Sequence, residues 1–433
     1  MNESSREVFK IVGLSGKRTL KGTIPVYGAK NAVLKILAAA PLFAESLTIQ
    51  NVPKIEDVER SCELLTALGA TVTSQEKRSI NLSIPKKMET DLPTDIAKRF
   101  RASVVFTGPL LARFGKVSFP HPGGCVLGGR PIDVFLNAYE KLGAKIVHKN
   151  ERYHISAPKG LTGAHIHFRI PSVTGTETVL MAAALAKGKT VLQNAAMEPE
   201  VVSLAEFLQE SGVKIEGIGT PRLTIYGTNS KLLVAKKPYV TIPDRIEAGS
   251  FVVLAALLGK DVTITNCIPE HFESLLEHVR EMGVHFETIK NSVRVFGNEK
   301  ITLKPVHIKT HEYPGFPTDL QQPMLVALTQ AKGESTVWET IFEDRLRYTQ
   351  ELQNMGANIT NMNPLQVIIR GKTPFRGKAL QSPDLRAGIA FVIAGALASG
   401  TSTIGNVYNI DRGYENLEER LRAIGLSITR HIE

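Results

Sequence analysis

The segment LQESGV, residues 208–213, closes a helix-like stretch with a glycine followed by a branched apolar residue, and this ending occurs six times along the chain. The other copies are LTALGA at 65–70, YEKLGA at 139–144, VREMGV at 279–284, LQNMGA at 352–357 and LRAIGL at 421–426. Their glycines, Gly69, Gly143, Gly212, Gly283, Gly356 and Gly425, lie 74, 69, 71, 73 and 69 residues apart. That spacing is a structural repeat of about 70 residues. Glycine suits the left-handed residue that ends a helix, and the apolar residues after it suit a strand. Upstream, a strand ending in a short polar turn recurs: Asn51, Asn194, Asn266, Glu339 and Asn406 stand 17 to 19 residues before their glycines. In the second copy the strand ends near Phe119, 24 residues before Gly143, and the added length reads PHPGGCVLGGRP at 120–131. A repeat that breaks its own pattern around an exposed cysteine, Cys125, marks a place for function.

At 433 residues the chain exceeds one ordinary core, and six repeats divide naturally into three and three over two domains. With 43% hydrophobic and 22% charged residues the composition is that of a globular protein. The segment MNESSREVFK is polar, and Cys62, Cys125 and Cys267 show no paired or metal-type spacing, so a cytoplasmic protein is expected. The net charge of +10 admits two partners. Nucleic-acid binding would want clustered basic runs with aromatic platforms, whereas the basic residues are dispersed and aromatics make up 6%. An anionic small molecule explains the excess at least as well, as does an ordinary basic surface.

Each repeat holds a second helix that is apolar nearly all round: NAVLKILAAAPLFA, ASVVFTGPLLARF, TETVLMAAALAKG, EAGSFVVLAALLGK, DLQQPMLVALTQAKG and RAGIAFVIAGALASG. Such helices are buried, and at this length they are too short to span a bilayer. The helices ending at the six glycines should face solvent, and residues 229–244 are the expected crossing between domains. Polar residues stand at the N-terminal ends of the buried helices: Lys30 and Asn31, Arg101, Glu247, Asp319 and Arg386. Cations at a helix N-terminus are unfavourable for folding alone, so Lys30, Arg101 and Arg386 are placed either for an anion or to snorkel past the helix end.

Nine motifs carry a resemblance: GAKNAVL from Gly28, RASVVFTGPLLARFG from Arg101, PGGCVLGGRPID from Pro122, NAAMEPEVV from Asn194, PDRIEAGS from Pro243, YPGFPTDLQ from Tyr313, ETIFEDR from Glu339, DLRAG from Asp384 and IDRGYE from Ile410. In that order, over essentially the whole length, the chain resembles the UDP-N-acetylglucosamine 1-carboxyvinyltransferases, the MurA family of enolpyruvyl transferases. The resemblance implies an α/β fold of two inside-out, barrel-like domains, each of three βαβαββ units. It implies a first domain over 30–240, a second over 1–29 plus 241–433, and an active site in the cleft between them. The implied reaction moves enolpyruvyl from phosphoenolpyruvate to the 3-hydroxyl of UDP-N-acetylglucosamine and releases phosphate, the first committed step of peptidoglycan synthesis.

Carried over residue by residue, the resemblance implies Cys125 as the acid, on a mobile glycine-rich loop, and Asp319 as the carboxylate beside the sugar hydroxyl. It implies Lys30 as a catalytic cation and, with Asn31, Arg130, Arg345, Arg386 and Arg412, a binder of phosphoenolpyruvate. For the nucleotide sugar it implies Asn31, Arg101, Arg130, Pro131, Ile132, Asp133, Val134, Ser172, Val173, Asp319 and Ile341. Several converging guanidiniums suit a substrate carrying close to three negative charges. From context alone Asp319 could equally be a helix N-cap, and Arg345 and Arg412, among acids, could be surface ion pairs. Two departures stand out: Phe135 replaces a polar residue common in the family, and YTQEL at 348–352 replaces HVPEL. Phe135 keeps an aromatic face and loses a hydrogen-bonding edge.

No metal or cofactor is expected, since the eleven histidines are scattered. The partners expected are the two small-molecule substrates, with no nucleic acid and no membrane, acting on a monomer. Two other readings are a sister enzyme that uses shikimate 3-phosphate as acceptor and a catalytically altered paralogue. GAKN with the loop cysteine argues against the first, and the intact Lys30, Cys125 and Asp319 set against the second.

Overall fold

The computed structural model describes residues 7–76, 78–121, 132–297 and 301–432. The chain divides into two compact units, with breaks between Tyr27 and Gly28 and between Ile242 and Pro243. Cys125, Arg130 and Pro131 lie outside the described residues.

The repeat glycines show why the pattern persists. All six have positive φ, from 90° at Gly283 to 117° at Gly356. At Gly69, Gly143, Gly212 and Gly425 an added Cβ would meet nothing within 4 Å, so the left-handed backbone, not crowding, requires glycine there. The strand-ending asparagines are equally specific. Asn51, Asn194, Asn266 and Asn406 take φ of 54° to 59°. Their side chains donate to the carbonyls of Thr241, Phe168, Val26 and Ser382 at 2.8, 2.9, 2.6 and 3.4 Å. Each of those carbonyls follows the strand that runs parallel to the asparagine's own. Asparagine thus serves two needs, since it tolerates the left-handed region and ties the ends of a parallel pair.

In the unit of residues 28–242 three sheets form. One orders Tyr239–Val240, Leu47–Gln50, Ser79–Ser83 and Thr71–Gln75; another Lys214–Glu216, Arg222–Tyr226, Lys189–Gln193 and His165–His167. The third belongs to the aberrant repeat and has only Lys116–Pro120, Arg152–Ser156 and Lys145–Lys149, with a single parallel bridge from Asp91 to Ser118 where the others have a fourth strand. In the unit of residues 7–27 and 243–432 all three sheets have four strands. Glu7–Val12 lies between Thr401–Gly405 and Ser427–Ile432, antiparallel to both, and Leu20–Pro25 pairs in parallel with Gly259–Thr265. The six sheets stay separate, and no closed barrel forms among the described residues.

Helices follow the two periodicities seen in the sequence. The inner helices are Lys30–Ala39, Thr107–Phe114 and Val173–Ala184 in the first unit, and Arg245–Leu258, Gln321–Leu328 and Leu385–Leu397 in the second. Every residue of Arg245–Leu258 is buried. The outer helices Glu56–Ala67, Asp133–Lys141, Pro199–Glu210, Glu273–Glu281, Thr349–Asn354 and Leu417–Ala423 each end within two residues of a repeat glycine. Among the described residues no helix is long and apolar enough to cross a membrane. The inner helices are less uniformly apolar than their composition suggests, since Lys35, Glu177, Glu247, Gln321 and Gln322 are all buried within them.

Candidate active site

In the second unit the inner helices bring ionised groups together at their N-terminal ends. Asp384 caps Leu385–Leu397, its Oδ1 accepting from the backbone N–H of Arg386 and Ala387 at 2.8 and 3.0 Å. Arg386 therefore sits in the first turn, where the helix dipole disfavours a cation. Asp319 compensates. Its Oδ2 accepts from Arg386 Nε and Nη2 at 3.0 and 2.9 Å, and its Oδ1 accepts from Arg345 Nη2 at 2.7 Å. Arg345 also donates through Nη1 to Thr318 Oγ1 at 3.0 Å and, with the Gln322 amide turned to present its oxygen, through Nε at 2.7 Å. The side chains of Arg345 and Arg386 are only 1% and 6% exposed, against 27% for Asp319. Burial alone would raise the Asp319 carboxyl, but the attraction of Arg386, then Arg345, holds it well below the usual carboxylate range.

Two alternatives from the sequence are corrected here. Asp319 caps nothing: it lies inside the 3-10 turn Thr318–Leu320, and neither that turn nor Gln321–Leu328 has a side-chain cap. Arg345 is no surface ion pair, because it is almost fully enclosed, with its guanidinium also 5.2 Å from the ring centre of Phe342. Arg412 is half-buried just after the turn Tyr408–Asp411.

Beneath this cluster lies a carboxylate whose place in the repeat marks only a turn. Glu339 is fully buried, and its Oε1 accepts from Thr310 Oγ1, Thr318 Oγ1 and the backbone N–H groups of Ile341 and Phe342 at 3.1, 2.9, 2.9 and 3.2 Å. It thereby fixes both Thr318, which holds Arg345, and the backbone at Ile341. The available signal was its break with the asparagine found at the same point in four other copies.

In the first unit, Lys30 opens Lys30–Ala39 and pairs with Asp57 at 2.7 Å, on the first turn of Glu56–Ala67. The anion expected at Lys30 is thus present within the protein, as at Arg386. Arg101 is half-buried at the start of the 3-10 turn Arg101–Phe106. Ser172 caps Val173–Ala184 by accepting from the backbone N–H of Gly175 at 3.1 Å. A Cβ on Gly175 would lie 3.0 Å from Ser172 Oγ and 3.2 Å from Val134 Cγ1, so the glycine lets these two expected sugar-nucleotide contacts converge. Asp133 pairs with Arg169 at 2.8 Å on the surface. A cavity of about 520 Å³ is lined by Asp133, Val134, Asn137, His167, Phe168 and Arg169.

Phe135 and the first residue of the second departure, Tyr348, prove to be interior. Phe135 is 2% exposed and meets Tyr139 edge-on at 5.8 Å, so it presents no face outward. Tyr348 is buried and its hydroxyl accepts from Gln321 Nε2 at 3.0 Å, beneath the Asp319 turn. Among the described residues no group of three His, Cys, Asp or Glu side chains is placed to hold a metal ion.

Residues 14–421 match the family profile described as EPSP synthase (3-phosphoshikimate 1-carboxyvinyltransferase). The UDP-N-acetylglucosamine 1-carboxyvinyltransferase of Magnetococcus marinus is 45% identical over 415 residues, covering 96% of this chain and 98% of that protein. The chain belongs to the UDP-N-acetylglucosamine 1-carboxyvinyltransferase family. The member from Aliarcobacter butzleri is 42% identical over 99% of this chain and 100% of its own. Two solved structures share the fold. The enolpyruvyl transferase NikO from Streptomyces tendae has TM-score 0.88 at 22% identity, covering 99% of each chain. EPSP synthase from Acinetobacter baumannii has TM-score 0.75 at 18% identity, covering 98% of this chain and 100% of that one. The profile's description names the wider group. Identity places this chain with the carboxyvinyltransferases that carry the nucleotide-sugar name.

Proposed function

We propose that this chain transfers enolpyruvyl from phosphoenolpyruvate to the 3-hydroxyl of UDP-N-acetylglucosamine, releasing phosphate, as a monomer in the cytoplasm and in the service of peptidoglycan synthesis. Relatives of that name at 40 to 45% identity over nearly their whole length support the reaction class. The single structural observation that carries the reading is the Asp319, Arg345 and Arg386 cluster, in which one carboxylate faces two buried guanidiniums.

In the addition step a proton goes to C3 of phosphoenolpyruvate and the sugar oxygen bonds to C2, giving a tetrahedral ketal. In the elimination step the C2–O bond to phosphate breaks and a C3 proton leaves, restoring the double bond. Cys125 supplies the first proton, and Asp319 takes the proton of the sugar hydroxyl. Lys30, Arg130 and Arg412 act on the phosphate, and Arg345 and Arg386 on the carboxylate side. Asn31, Arg101, Ser172, Val173, Ile341 and the segment from Arg130 to Val134 hold the nucleotide sugar.

Asp319 as it stands is too weak a base, because its two arginines hold the proton off. Arrival of the phosphoenolpyruvate anion corrects this in two ways: it draws the guanidiniums toward itself, and it adds negative charge beside Asp319. Both raise the proton affinity of the carboxylate. Binding of the first anion thereby prepares the base for the sugar hydroxyl. Glu339, by fixing Thr318 and hence Arg345, limits how far that exchange of partners can travel.

Phosphate release should require both phosphoenolpyruvate and UDP-N-acetylglucosamine and should proceed without added divalent metal. Release with shikimate 3-phosphate in place of the nucleotide sugar would move the chain to the other branch of the group. Strict dependence on magnesium would count against the cation-based mechanism.

A further inference from the structure

Among the buried charges outside the scheme above is an ion pair in the first unit. Lys35 is 6% exposed and Glu177 fully buried, and Lys35 Nζ lies 3.0 Å from Glu177 Oε2. They join two inner helices of the first unit, Lys30–Ala39 and Val173–Ala184. Lys35 Nζ also donates to the carbonyl of Asn31 at 3.0 Å. Among the described residues neither Glu177 oxygen has a well-directed hydrogen bond, so the ion pair is the interaction that holds this carboxylate.

The positions of the two residues are matched. Lys35 stands four residues after Asn31 and Glu177 four after Val173, one helical turn inward on the same face in each case. Both outer members of these i, i+4 pairs are proposed contacts to the nucleotide sugar. A link between the inner members therefore fixes the separation and rotation of the two first turns. For stability alone the pair is a poor device. Ion pairs buried this deeply lose about as much in desolvation as they gain, and apolar residues of similar volume commonly serve as well or better. Burial, opposed by Lys35 and helped by Glu200 and Glu198, leaves the Glu177 carboxyl raised to about 7. A charge kept at that cost fits a role in geometry.

We infer that Lys35 and Glu177 are positioning residues, a strut that sets the spacing of Asn31 against Ser172 and Val173 for the nucleotide sugar. The inference rests on the reading above that those three residues bind UDP-N-acetylglucosamine. A displacement on the order of 1 Å at a distant support can cost up to about 10²-fold in an enzyme. Lost uniform binding appears as a raised KM at constant kcat.

The test uses the full chain as wild type, Lys35→Met, Glu177→Gln, Lys35→Arg and the apolar double variant Lys35→Met with Glu177→Leu. Measured for each are phosphate release, calorimetric binding of UDP-N-acetylglucosamine, and the thermal midpoint. The apolar double variant should keep the thermal midpoint of wild type while its KM and Kd for the nucleotide sugar rise by about 10-fold or more, with kcat within a few-fold. Lys35→Arg, which retains the pair, should stay near wild type. A folded double variant with wild-type KM and Kd would overturn the strut. If the double variant fails to fold, a folded Glu177→Gln with unchanged KM and Kd overturns it instead. Wild type that neither binds nor turns over UDP-N-acetylglucosamine would sink the functional reading itself, an outcome distinct from any contrast among variants.

Discussion

Arg386 grips a single oxygen of Asp319 with both Nε and Nη2, leaving the other oxygen to Arg345. Each guanidinium here is almost wholly enclosed, so the carboxylate is what permits them to be buried. The same contact keeps Asp319 ionised and its basicity suppressed.

Asp319→Asn should lower turnover by roughly 10²-fold or more, the usual contribution of a positioned acid or base. It should also destabilise the fold, because two buried cations lose their counter-charge, at a cost of about 3 kcal/mol. Calorimetric binding of UDP-N-acetylglucosamine should persist. Turnover within a few-fold of wild type, with stability lowered as expected, would leave Asp319 as a counter-ion and nothing more.

The pH dependence of kcat/KM reports the free enzyme. Since Arg386 and Arg345 hold the Asp319 carboxyl well below the usual range, no acid limb near pH 4 should come from this group. Its contribution to stability has the matching sign. A depressed folded value gives stability that is present above the unfolded value and lost only as pH falls through the folded one. A pH–rate limb near 4 that disappears in Asp319→Asn would contradict the arrangement.

Glu177 should behave oppositely. Its folded value is raised from about 4.5 to about 7, so the folded state binds its proton more tightly than the unfolded chain. The associated stability is therefore full below about 4.5 and lost as pH rises to about 7, by roughly 3 kcal/mol. The titratable groups that act with it are Lys35, Glu198, Glu200 and Tyr239. Urea midpoints measured from pH 4.5 to 8 should fall in wild type relative to Glu177→Gln. Parallel curves would show that the carboxyl titrates at its ordinary value.

The epoxide fosfomycin, a mimic of phosphoenolpyruvate, should label Cys125 and spare the other two thiols. Burial, and then Glu59, push the Cys62 thiol up to about 11, and burial does the same at Cys267, which is 1% exposed. At neutral pH about one in 10⁴ of either would be thiolate, the reactive form. Intact mass with peptide mapping should show one adduct, on Cys125, formed faster in the presence of UDP-N-acetylglucosamine. An adduct on Cys62 or Cys267 would refute the assignment.

What was legible in the sequence was whatever a backbone conformation or a period imposes. Gly69 and its five counterparts are glycines because of φ, and Asn51, Asn194, Asn266 and Asn406 recur because one side chain meets two local needs. Those constraints are short-range, so spacing alone exposes them. Partnerships across distant segments were not legible. Lys30 announced an anion, but nothing adjacent pointed to Asp57, and Glu247 in an inner helix gave no sign of Arg420, 173 residues away and 2.6 Å from it. Lys35 and Glu177 were hidden for a related reason: a single charge within a run of small and apolar residues barely alters the composition of a helix. Glu339 was visible as a deviation from the repeat, yet only the contacts of its carboxylate reveal what the deviation does.

The strand Glu7–Val12 has its two neighbours in Thr401–Gly405 and Ser427–Ile432, at the other extreme of the chain. During synthesis it emerges about four hundred residues before either neighbour and is satisfied last. Residues 28–242 carry their own three sheets and can close while translation continues, as domains generally do. Until some four hundred further residues have been added, Phe9 and Ile11, both fully buried in the finished molecule, have no core to enter. The growing chain therefore carries an uncommitted apolar strand while all the intervening residues are made, a segment exposed to misassociation until its neighbours arrive.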